Sequence, residues 1–177
     1  MIRFLSDNLV RLIAPINTQP DPNTTISTGT CTARLFDADH ETTLSADEAT
    51  AQTILSVRRA RSIDVGASVT LSLDDGTYHA AGAVTARDLD ADTITVTTGL
   101  ASAASKGARV MTQVGANVSM SAYGTPHLNQ TNWGFQGEIQ AEHAGLVPGQ
   151  SIRIEIHLDD SGLELLEVIR DRVVVGF

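Results

Sequence analysis

The chain has 177 residues, 42% of them apolar and only 4% aromatic, which suits one full domain or two small ones at roughly 100–200 residues each. Its formal net charge is −9, with Lys106 the one lysine beside eleven arginines, so the cationic face that non-specific phosphate binding requires is missing. The single Cys31 excludes an intramolecular disulfide, no stretch approaches the roughly 18 apolar residues of a membrane span, and Arg3, Asp7 and Arg11 interrupt the only segment that could pass for a signal peptide. A soluble chain is expected, made and kept in the cytoplasm or in an assembly built there.

Residues 2–14 place Ile2, Leu5, Leu9, Leu12 and Ile13 at helical spacing, with Phe4 and Val10 widening that face before Pro15. The spacing predicts a short amphipathic helix, with a strand as the alternative for so short a run. Residues 17–29 (NTQPDPNTTISTG) hold almost nothing to bury and read as an extended arm. Residues 1–29 together are an anchor on a tether, suited to docking on a neighbouring subunit or to packing on the chain's own core.

Thr30–Asp37 alternates Cys31, Ala33 and Leu35 with Thr32, Arg34 and Phe36 and predicts a strand, in which Cys31 is a small buried hydrophobe rather than a nucleophile. Ser45 to Glu48 matches a capping box and predicts one helical turn. Ile54–Val57 is a further strand. Arg58, Arg59 and Arg61 follow it as the chain's basic cluster, read as arginines that meet acidic neighbours or an acidic partner subunit.

From Ser62 to Val114 the text is a series of short strands broken by turns. Val69, Leu71 and Leu73 alternate with polar residues, Asp74-Asp75-Gly76 is a turn, and Gly82 is a candidate bulge in the strand from Tyr78. Asp88–Asp92 is an acidic turn, Thr93–Thr98 is strongly β-branched, and Lys106–Val110 leads into a last strand. Four or five short strands in about fifty residues predict a small closed barrel.

Beyond it, strands are expected at Asn117–Tyr123, Trp133–Ala141, Ser151–Leu158, Leu163–Arg170 and Arg172–Val175. In the third of these, Ile152, Ile154, Ile156 and Leu158 take the buried face, and Arg153, Glu155 and His157 point the other way. Trp133 reads as a core anchor. The strand at 30–37 cannot stand alone, because its backbone groups need partners. The expected architecture is therefore mainly β: a split antiparallel β-sandwich from residues 30–61 and 115–177, an inserted small β-barrel at 62–114, and a short N-terminal helix or arm, with a single continuous β-sandwich as the main competitor.

Chemistry is not signalled. His40, His79, His127, His143 and His157 are scattered without zinc spacing, and phosphate-loop, dinucleotide and nucleophile-elbow motifs are missing. Asp37, Asp39, His40 and Glu41 could hold a hard cation loosely but lack the calcium-loop pattern. No catalytic residue, cofactor or metal is expected, and a role other than that of an enzyme follows. A carbohydrate-binding β-domain, with Trp133, Tyr123 and Tyr78 as stacking surfaces, is the alternative from another class.

Three stretches carry a resemblance: the opening MIRFLSDNLVRLIAP, the run VGASVTLSLDDGTYHAAGAVTARDLDADTITVTTGLASAASKGARV, and the end with YGTP and WGFQGEIQAEHAGLVPGQSIRIEI. Together they resemble virion structural proteins of tailed bacteriophages, of the head–tail connector or neck type. The resemblance implies a protein without catalysis, located in the virion and present in many copies as a ring or lattice. It also implies portal, tail or capsid subunits as neighbours, with no direct nucleic-acid sequence recognition and no membrane. A capsid decoration protein is the close alternative. Ile2, Phe4, Leu5, Leu9 and Leu12 of the anchor, with Arg58, Arg59 and Arg61, are the candidate assembly contacts.

Overall fold

In the computed structural model, residues 2–4, 9–15, 30–74, 76–123, 134–140, 146, 149–160 and 163–175 are described, and they are mainly β. The strands are β1 (Ile2–Phe4), β2 (Leu9–Pro15), β3 (Thr30–Thr43), β4 (Ile54–Ser56), β5 (Ser68–Ser72), β6 (Tyr78–Asp88), β7 (Thr93–Val96), β8 (Arg109–Gln113), β9 (Val118–Tyr123), β10 (Gly134–Gln140), β11 (Ser151–Asp160) and β12 (Leu163–Val175). The chain forms two compact units, Met1–Leu35 with Gly115–Phe177, and Phe36–Val114. Strand β3 belongs to both: Cys31, Thr32 and Ala33 pair with β9, whereas Phe36–Thr43 pairs with β8.

In the 36–114 unit the antiparallel pairings run from β3 through β8, β5, β6 and β7 to β4. They then return to their start. A bridge joins Leu44 to Val57, and on either side of it Ser45 N–H donates to Ser56 O and Arg58 N–H to Thr43 O, each at 2.9 Å. These three links join the two ends of the strand order through hydrogen bonds. Inside lie Leu44, Leu55, Val57, Ile63, Val69, Leu71, Val84, Ile94, Val96, Leu100 and Val110, all buried. This shifts the boundary expected at residue 62. Residues 36–61 belong with 62–114, because Leu44, Leu55 and Val57 complete that core and β4 completes the circuit.

Gly82 sits at a bulge. Val69 pairs with Gly82 but Thr70 pairs with Ala80, and Gly82 has φ of +77°, a conformation glycine enters without a side-chain clash. The helical turn expected at Ser45–Glu48 is replaced by an isolated bridge from Glu48 to Ala104. The Glu48 carboxylate accepts the Ser56 N–H at 2.6 Å, so the acidic residue of the supposed capping box serves a strand eight residues away.

In the split unit, β10 pairs with β2 from Gly134↔Pro15 to Gln140↔Leu9, and on its other side with β9. Strand β12 pairs with β11 over ten residue pairs and lies parallel to β1. Of the two readings of the N-terminal run, the helix gives way to the strand alternative, here as two strands. A helix of this length is marginal unless packing holds it, and seven register positions with β10 satisfy the backbone of Leu9–Pro15 instead. The arm at 17–29 lies outside the described residues. A second correction concerns β11: Arg153 and Glu155 are buried along with Ile152, Ile154 and Ile156. Arg153 Nε lies 2.9 Å from Glu155 Oε1, and the two side chains are 1% and 0% exposed. An ion pair between residues i and i+2 takes the face that alternation assigned to solvent. The residues expected as two strands, 163–170 and 172–175, form one, β12.

Candidate functional site

The turn that follows β4 is held down from three directions. Val57 N–H donates to Asp92 O at 2.9 Å, Arg59 N–H to Thr42 Oγ1 at 3.2 Å, and Ala60 N–H to Asp92 Oδ1 at 3.0 Å. The chain then makes one 3-10 turn, Ala60–Ser62, with Ser62 N–H donating to Arg59 O and Ile63 N–H to Ala60 O. Ala60 and Ile63 are fully buried and anchor both ends of that turn. The residues left outside are Arg58, Arg59 and Arg61, all exposed.

Two clefts flank them. One, of about 310 Å³, is lined by Glu41, Thr42, Thr43, Arg58, Arg59 and Arg109. The other, of about 430 Å³, is lined by Arg58, Arg59, Arg61, Ser62 and Asp92. Arg58 and Arg59 are common to both, so two openings share one cationic wall. Among the described residues, the side chains of Arg58, Arg59 and Arg61 make no ion pair and no hydrogen bond. Three neighbouring cations that make no ion pair repel one another and favour an anion that reaches them.

Sequence reading found the three arginines because they are contiguous. Glu41 was read only as a loose cation ligand, and Arg109 and Asp92 were missed; pairing brings them in, since Thr43 faces Arg109 across β3 and β8, and Asp92 closes the β6–β7 turn with φ of +50°. The acidic turn Asp88–Asp92 was the one available signal for the last of these.

The other candidates fall elsewhere. Ile2 and Phe4 lie on β1 in register with Val173 and Val175, Leu9 and Leu12 lie on β2 opposite Gln140 and Gly137, and Leu5 is outside the described residues. Of the supposed cation ligands, Asp37 Oδ2 lies 2.9 Å from His40 Nδ1 and Asp37 Oδ1 accepts the Asp39 N–H at 2.9 Å. His40 Nε2 stands 3.9 Å from Asp64 Oδ2, and Asp64 Oδ1 pairs with Arg87 at 3.2 Å. This row ties the β3 bulge to the residues after the 3-10 turn. Among the described residues no three His, Cys, Asp or Glu side chains come together in a way that could hold a metal ion. Tyr78 stacks on Phe36, ring centroids 6.4 Å apart, while Trp133 lies outside the described residues. No helix among the described residues is long and apolar enough to cross a membrane.

The sequence matches no known family model, and no curated protein matches it.

Proposed function

We propose that the chain is a non-enzymatic structural protein of a tailed-phage particle, a neck, adaptor or stopper component at the head–tail interface that assembles with copies of itself as a ring. The resemblance of its three sequence stretches to such proteins suggests the setting. The observation that carries the reading is the cationic wall of Arg58, Arg59 and Arg61, exposed and without ion pairs among the described residues on a chain of net charge −9. Protein surfaces that meet acidic neighbours use such patches to steer encounter and to set register.

Native mass spectrometry and electron microscopy of the purified chain, alone and mixed with portal, tail and capsid proteins, test the proposal. A cyclic ring that binds portal or tail supports it. Trimers that bind only the capsid shell assign the chain to decoration instead, and failure to bind any virion component refutes both. The carbohydrate-binding alternative loses one face of Tyr78 to Phe36.

A further inference from the structure

Beside the arginine clefts stands an acidic turn. Strand β6 ends at Asp88 and β7 begins at Thr93, and Asp92 both lines the larger cleft and holds the arginine turn through Val57 and Ala60. Asp88 Oδ1 accepts the N–H groups of Asp90 and Ala91 at 2.9 and 3.0 Å, which fixes the backbone of the turn. Leu89 is 56% exposed. Asp90 is exposed as well, and its carboxylate has no partner among the described residues. The 36–114 unit therefore presents three arginines without ion pairs among the described residues and, two positions before the cleft-lining Asp92, an aspartate without one beside an exposed leucine.

The two halves do not neutralise each other within one chain, since no ion pair joins Asp90 to Arg58, Arg59 or Arg61. A surface that carries adjacent acidic and basic patches is complementary to itself when turned about a two-fold axis. We infer that copies of this chain pair reciprocally, the Leu89–Asp90 turn of each docking in the Arg58, Arg59 and Arg61 clefts of the other. The leucine supplies an apolar anchor and the aspartate a carboxylate for the cationic wall. Nucleic acid fits less well, because a chain of net charge −9 repels a continuous polyanion.

The inference rests on the proposal above only in requiring that copies meet. A ring closes through head-to-tail contacts between different surfaces, whereas this contact is isologous. Pairing and ring closure can therefore fail separately.

The test uses the full-length chain in sedimentation velocity and native mass spectrometry over a range of concentration and salt. Asp90→Arg alone, and Arg58→Glu with Arg61→Glu, should each weaken pairing by about tenfold or more while far-ultraviolet circular dichroism stays unchanged, because like charges then face each other. An equimolar mixture of the two variants should recover pairing as a one-to-one heterodimer, since the reversed turn now meets a reversed cleft and the native turn meets a native cleft. Variants that pair as the unaltered chain does, or a mixture that recovers nothing, overturn the inference. So does a wild-type chain that stays monomeric at the highest concentration reached. Binding of duplex DNA by the unaltered chain, lost in Arg58→Glu with Arg61→Glu, would hand the clefts to nucleic acid and overturn it too. A ring whose size no variant changes overturns the pairing and leaves the ring standing.

Discussion

Replacing Gly82 by alanine isolates the effect of one backbone position on the closed circuit. Gly82 has φ of +77°, and an L residue in left-handed backbone pays about 1–2 kcal/mol. A Cβ there would also collide with Thr97 Oγ1. That hydroxyl accepts the Ala83 N–H at 3.1 Å and donates to Ala81 O at 3.4 Å, so it is fixed between two groups of the same strand. Thr97 is β-branched and has few rotamers, and turning away would forfeit both contacts, the shorter of which contributes about 1 kcal/mol. The two terms together predict a loss of about 2–4 kcal/mol, a large part of a total stability of about 5–15 kcal/mol. Urea unfolding followed by circular dichroism gives the loss, and hydrogen exchange should place the new opening in β5, β6 and β7. Thr97→Ala removes the colliding atom, so Gly82→Ala with Thr97→Ala should cost less than the sum of the single changes by about 1 kcal/mol. A Gly82→Ala protein within about 0.5 kcal/mol of the parent, or strict additivity with Thr97→Ala, would refute both the left-handed assignment and the packing behind it.

Glu155→Leu should cost about 3–5 kcal/mol in denaturant unfolding, because it breaks a buried ion pair from one side, whereas adding Arg153→Met should recover most of that loss. Asp92→Ala removes the acceptor of the Ala60 N–H and should lower stability by about 1–2 kcal/mol; Asp92→Asn keeps an acceptor and tolerates the left-handed backbone, so thermal unfolding should show a smaller drop. Joining Leu35 to Gly115 through a Gly/Ser linker should leave a soluble remainder by gel filtration and circular dichroism. Removing only 62–114 should give aggregates, because Leu44, Leu55 and Val57 lose their core.

Much of the fold was legible because strands write their burial as alternation. The strand at Ser68–Ser72, the turn in which Gly76 N–H donates to Leu73 O, and the bulge at Gly82 are local facts, set by residues close together in the chain. The misreadings share a different cause. Residues 2–15 carry apolar side chains at helical spacing, yet pairing across β10 decides their backbone, and nothing local announces β10. The Ser45–Glu48 match failed because the Glu48 carboxylate had a better use at Ser56. Strand β11 reads as two-faced because charge normally means solvent, yet Arg153 and Glu155 meet at 2.9 Å on a second face that is buried too. In each case a long-range partner outweighed a local preference.

The arginine site shows the same division at finer grain. Three arginines in four positions are visible to any reader of the chain, but contiguity alone does not predict that all three face outward. That follows from the two residues beside them: Ala60 and Ile63 are drawn into the core, and Asp92, from a turn more than thirty residues away, fixes the intervening backbone. Once Ala60 and Ile63 are buried, Arg58, Arg59 and Arg61 have nowhere else to go. The same closure of β3 onto β4 brings Thr42 and Thr43 to the foot of the wall, where they line one cleft with Arg109. The cationic wall is thus a consequence of how the circuit closes, and changes that loosen the closure should disperse the arginines before they unfold the unit.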